Sequence, residues 1–150
     1  MDLSPPPSEK VLLSQSFDVA TQDFVRAGEA SSRIKRILQQ LGIDSKVVRR
    51  SAIVTYEAEM NIVIHSHGGG ITLTVTPTDV ILQCIDRGPG IENIPLAMQD
   101  GYSTASEEVR EMGFGAGMGL PNIKRSADEF RIESSPSGTA LFVRISHRSG

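Results

Sequence analysis

The sequence predicts an α+β fold, a two-layer sandwich in which helices cover one face of a mixed, mostly antiparallel sheet. Three observations carry this expectation. Ile71-Thr72-Leu73-Thr74-Val75-Thr76 alternates strictly, turns at Pro77-Thr78-Asp79 and returns as Val80 to Ile85, the pattern of a β-hairpin. A second hairpin closes around Pro136-Ser137-Gly138. Between Ala52 and Ile64 the chain is apolar on nearly every side, which suits a largely buried helix. Strands joined by hairpins argue against a doubly wound parallel sheet.

The elements follow in order. With 150 residues, 39% of them hydrophobic, one core is expected. The prolines at 5–7 favour an extended tail over residues 1–8, followed by a single domain over 9–150. Val11 to Phe17 reads as a first strand. Asp18 or Thr21 is placed to cap a helix running to about Leu41, with Phe24, Ile34, Ile37, Leu38 and Leu41 as its stripe and Gly42 as its stop. Asp44 or Ser45 starts a second helix reaching about Ser66, which Gly68-Gly69-Gly70 ends. Residues 86–117 are rich in glycine and charge, with a short helical stretch near Ile94 to Met98, and the part at about 92–117 is expected to form a lid. A third helix is predicted from Met118 to Ala127, and the strands Phe130 to Ser134 and Thr139 to Ile145 complete the chain.

Composition narrows the partners. A formal net charge of -3 with interspersed signs offers no basic stripe for nucleic acid. No apolar run approaches the ~20 residues of a membrane span, and the N-terminus has no secretory pattern, so a soluble, cytoplasmic protein is expected. The single cysteine, Cys84, lies in an apolar run and reads as a buried thiol.

Four short constellations bear chemistry. Glu57 and Asn61, four apart, project from one face of the second helix, whereas Glu59 points elsewhere and is expected to be exposed. Burying a carboxylate costs several kcal/mol unless it is paired, which implies a ligand; the alternative is that Glu57 faces solvent or a neighbouring cation such as Arg50. Asp86-Arg87-Gly88-Pro89-Gly90-Ile91 follows a strand; its acid suits an exocyclic amine and its glycines admit close approach, although alone it is an ordinary turn. Gly113 to Leu120 places backbone N–H groups before a helix, where phosphate is favoured. It is neither a Walker A loop nor a dinucleotide fingerprint, because no Gly-Lys-Ser/Thr follows and no strand precedes. Gly138-Thr139 enters the last strand. His65 and His67, two apart on a helix, diverge and do not read as a metal pair.

In this order, Glu57-x3-Asn61, Asp86-x-Gly88-x-Gly90, Gly115-x-Gly117-x-Gly119 and Gly138-Thr139 resemble the N, G1, G2 and G3 boxes of the Bergerat-fold, histidine-kinase-like ATPases over residues from about 10 to 146. The resemblance implies ATP and Mg²⁺ as ligands. Asp86 would hold the adenine amine with help from Thr139, Gly88, Gly90 and Ile91 would line the nucleotide, and Asn61 would hold the metal. Gly115, Gly117, Met118, Gly119 and Leu120 would meet the phosphates, Arg110 would swing onto the γ-phosphate, and Glu57 would be catalytic. Asp100 to Ala105 and Gly117 to Arg125 look like the bacterial anti-sigma serine/threonine kinases, whose targets are small STAS-domain antagonists. A sigma factor, a phosphatase or a second copy of the chain are further expected partners. A nucleotide-gated binding module and a plain ATPase are the alternative functions.

Overall fold

The alternating segments do become a sheet, and all of its ladders are antiparallel. A computed structural model of the chain describes residues 10–91, 94–99 and 119–147. Its elements are β1 (Leu13–Val19), α1 (Glu29–Gln40), α2 (Ser45–His65), β2 (Gly69–Val75), β3 (Asp79–Asp86), α3 (Ile94–Ala97), α4 (Gly119–Ser126), β4 (Glu129–Ser135) and β5 (Gly138–Ser146). The strands lie in the order β1-β2-β3-β5-β4. The parallel component of the expected mixed sheet is therefore missing among the described residues, because β3 and β5, the pair that follows the crossover, also run antiparallel.

Period-two alternation assigns the faces. Ile71, Leu73 and Val75, then Val80, Leu82 and Cys84, then Leu141, Val143 and Ile145 all join one core beneath the helices. Each such side chain contributes about 1.5–3 kcal/mol by leaving water. The opposite face carries a small second cluster of Ile81 and Phe142, and the Arg131 guanidinium stacks on the Phe142 ring at 4.2 Å. Cys84 is buried as expected, and burial pushes its thiol up to about 12.

α2 is the spine of the helical layer and packs against both α1 and α4. Asp44 caps it, its side chain accepting from the Lys46 N–H at 3.3 Å. No helix among the described residues is long and apolar enough to cross a membrane.

Two expectations need correction. α1 begins at Glu29, not near Asp18 or Thr21, because β1 continues to Val19, opposite Gly69, and the residues that follow serve the end of α2. Thr21 donates its hydroxyl to the Ser66 carbonyl at 2.5 Å, and the Gln22 amide donates to the Val63 and Ile64 carbonyls, each at 3.2 Å. These contacts satisfy carbonyls that a helix end leaves without partners. Phe24 therefore packs on the core from a turn instead of from a helical stripe.

The second correction is Glu59, which is 3% exposed and not a surface residue. α1 has Gly28 at its N-cap, with no side chain to offer. Glu59 reaches across from α2 instead, accepting from the Ala30 N–H at 3.2 Å and the Ser31 N–H at 3.0 Å. A carboxylate at a helix N-terminus meets unpaired donors and the positive end of the dipole. Burial nevertheless raises its pKa above the ordinary glutamate value, the Ser31 and Ala30 bonds opposing the shift.

Candidate functional site

The helical spacing of Glu57 and Asn61 turns both side chains toward the N-terminus of α4. A Cβ placed on Gly119, the first residue of α4, would lie 3.3 Å from Asn61 Oδ1 and 3.4 Å from Glu57 Oε2. Glycine thus keeps the space between the two polar groups and the helix start open. Asn122, one turn further along α4, donates its amide to Glu57 Oε1 at 3.3 Å. Arg125 in turn donates to Asn122 Oδ1 at 2.6 Å. The pair anchors one carboxylate oxygen and leaves the other, Oε2, toward Gly119. Asn122 was not expected as a site residue, although its position three after Gly119 puts both on one helical face.

At the end of β3, Asp86 Oδ1 accepts the Thr139 N–H at 3.0 Å. The Thr139 hydroxyl is hydrogen-bonded to the Ser134 hydroxyl at 2.8 Å, and Ser134 Oγ accepts the Ile91 N–H at 2.8 Å. Burial raises the Asp86 pKa above the ordinary aspartate value, while the Thr139 N–H and the nearby His67 charge work against the rise. An acid held by Oδ1 alone among the described residues can offer Oδ2 to a donor outside the chain.

Glycines let the turn after β3 lie directly on the β4–β5 hairpin. The Gly88 N–H donates to the Ser137 carbonyl at 2.7 Å, and a Cβ there would meet the Pro136 carbonyl. Gly90, at φ 84°, faces the Ser135 carbonyl so closely that no side chain fits. Ile91 is half-buried against the core.

The Arg87 N–H donates to the Gly68 carbonyl at 2.9 Å, just beyond the C-terminus of α2, so the strand end carrying Asp86 meets the helix end. Asn61 lies five residues before Ser66, about 7.5 Å along the axis at 1.5 Å per residue. Leu120 is buried in the core, so only its backbone faces the start of α4. Arg110, Gly115, Gly117 and Met118 lie outside the described residues, as does the expected lid except for 94–99, where Ile94–Ala97 forms one helical turn.

The chain matches the model of the histidine kinase-like ATPase domain over residues 20–145. An anti-sigma F factor of Thermoanaerobacter sp. (strain X514) is 35% identical over 99 residues, which cover 63% of this chain and 65% of that protein. The match thus spans just under two thirds of that relative's length. The serine/threonine-protein kinase RsbT of Bacillus subtilis (strain 168) is 32% identical over 104 residues, 67% of this chain and 72% of that protein. Among solved structures, the RsbU and RsbW domains of Rv1364c from Mycobacterium tuberculosis superpose with a TM-score of 0.59 at 16% identity, covering 91% of this chain and 34% of that one. The SiaB-SiaC complex from Pseudomonas aeruginosa gives a TM-score of 0.60 at 13% identity, covering 91% and 90%. These two show a shared fold, the same α+β sandwich. From the match over residues 20–145 it follows that the chain belongs to the histidine kinase-like ATPase domain family.

Proposed function

We propose that the chain is an ATP-binding serine/threonine protein kinase of the anti-sigma-factor type, transferring the γ-phosphoryl group of ATP to a hydroxyl of a small STAS-domain regulatory partner. The observation that carries this reading is Glu57, which Asn122 holds by one oxygen while the other faces the open space over Gly119. There Oε2 accepts the proton of the incoming serine or threonine hydroxyl as its oxygen attacks the γ-phosphorus, and ADP departs. Asp86 Oδ2 accepts the adenine amine, with the Thr139 hydroxyl beside it. The first N–H groups of α4 and the glycines at 115, 117 and 119 receive phosphate oxygens. Arg110 and Met118 belong to the same phosphate end in this reading.

Mg²⁺ fits the residues present. A hard cation takes oxygen ligands, keeps several waters and needs only one or two protein groups beside phosphate. Asn61 Oδ1 next to Gly119 would be such a ligand. When bound, the metal neutralises charge on the triphosphate. A sigma factor or phosphatase as a second protein partner fits the same family of regulators, as does a cytoplasmic location. A nucleotide-gated binding module without phosphotransfer is the second reading, supported by a similar structure having been solved as a two-protein complex.

The test uses labelled ATP with a STAS-domain partner. Label should appear on serine or threonine, and Glu57→Ala should abolish transfer while nucleotide affinity stays at the wild-type value. Undiminished transfer by that variant would remove Glu57 from the chemistry. Phosphate release in the absence of any partner, at the rate seen with it, would favour a plain ATPase.

A further inference from the structure

A groove of about 850 Å³ crosses the outer surface of the helical layer, between α1, α2 and α4. Its apolar rim is formed by Ile53 and Tyr56, which are 38% and 42% exposed although large and hydrophobic. Three cations line it, Lys35 from α1, Arg49 from α2 and Arg125 from α4, against one carboxylate, Glu57. Arg125 is engaged with Asn122, whereas Lys35 and Arg49 are exposed. Glu57 and Asn122 also belong to its lining. The groove therefore approaches from the protein's outer surface the same carboxylate that Gly119 approaches from the nucleotide side.

Resting on the kinase reading above, we propose that this groove seats an acidic, extended segment of the phosphoacceptor protein, its carboxylates on Lys35 and Arg49 and its hydroxyl at Glu57. Charge selects the occupant, since three cations outnumber the single carboxylate in a trough of mixed polar and apolar lining. Length sets the register. Arg49 and Glu57 are eight residues apart on α2, about 12 Å along the axis at 1.5 Å per residue. An extended peptide covers that span in about three or four residues at ~3.3 Å each. The acid thus belongs three or four residues from the hydroxyl, and an apolar side chain between them lies against Ile53 and Tyr56.

The test pairs two labelled synthetic peptides with the full chain in ADP and Mg²⁺, read by fluorescence anisotropy. One carries serine, a leucine and glutamates three and four residues from the serine; the other has lysines in place of the glutamates. The acidic peptide should bind about tenfold tighter, the sum expected of two exposed ion pairs, and should lose that advantage at high salt. Lys35→Glu with Arg49→Glu should reverse the preference, and the milder Lys35→Gln with Arg49→Gln should erase it, both with wild-type ATP affinity by calorimetry. Equal binding of the two peptides, or a preference surviving in either double variant, would overturn the proposal. So would a dimer in sedimentation that the charge reversal dissociates, since a second copy would then occupy the groove. The kinase reading is scored separately: transfer to the STAS-domain partner without peptide preference defeats the groove alone, and peptide preference without transfer upholds the docking surface and defeats the kinase.

Discussion

Replacing Glu59 by alanine should be among the more damaging single changes in the helical layer, though Glu59 lies outside the groups that face Gly119. Its two oxygens are the acceptors for the Ala30 and Ser31 N–H groups, and Gly28 provides no substitute cap. Each buried donor left without a partner costs about 1–3 kcal/mol. Removing a carboxylate that was itself expensive to bury offsets part of that loss. The net expectation is a destabilisation of about 2–4 kcal/mol, a large share of the ~5–15 kcal/mol that holds a typical domain together. Urea unfolding followed by circular dichroism measures it, and amide exchange locates it, because Ala30 and Ser31 should lose protection first. The sign of the pH dependence follows from the raised pKa. The native state holds the Glu59 proton more tightly than the unfolded chain, so this contribution is full below the unfolded glutamate pKa and is lost as pH rises through the folded one. Glu59→Gln should remove that slope. A loss under about 0.5 kcal/mol in the alanine variant, with unchanged exchange at Ala30 and Ser31, would show that α1 is capped by something else.

Two further outcomes concern the ligand. Gly119→Ala should leave stability within about 1 kcal/mol, since the neighbouring polar atoms need move only slightly. On the proposed reading, ATP affinity in that variant should nevertheless fall at least about tenfold by calorimetry, because the methyl group would occupy the space between Asn61 and Glu57 in which that reading places phosphate. Asp86→Asn should keep the Thr139 N–H bond through its carbonyl oxygen yet weaken ATP by about 10- to 150-fold, the worth of one hydrogen bond to a charged group. Because burial raises the Asp86 pKa, wild-type affinity should begin to fall on acidification at a higher pH than an ordinary aspartate would give, and the asparagine variant should show no such fall.

Much of this architecture is readable from local pattern. The strict alternation in Ile71 to Thr76 leaves one assignment of faces for β2, which the antiparallel pairing carries to β3 and β5, and Asp44 marks the start of α2 correctly. The start of α1 is not readable, because Thr21 and Gln22 bond to carbonyls more than forty residues away and no short-range signal announces such a partner. Glu59 fails for a related reason. Two residues after Glu57 on a helix, it must point away from α4, but whether that direction meets water or another helix depends on where α1 packs. At the site, the spacing of Glu57 and Asn61 and the strand-end position of Asp86 are visible in the sequence. The Asn122 bond to Glu57 and the chain from Asp86 through Thr139 and Ser134 to Ile91 arise only once α4 and the closing hairpin are in place.

The β4–β5 side of Asp86 is made of main chain and short hydroxyl side chains. Gly88 and Gly90 abut the carbonyls of Pro136 and Ser135, and Thr139 and Ser134 are already bonded to each other. Such a surface has few rotatable bonds left to immobilise, so a purine settling there forfeits little protein entropy. In the proposed reading, discrimination between bases at this surface would accordingly rest on fixed donor and acceptor geometry, and a nucleobase presenting a carbonyl where adenine presents its amine would meet an oxygen with no side-chain rearrangement to avoid it.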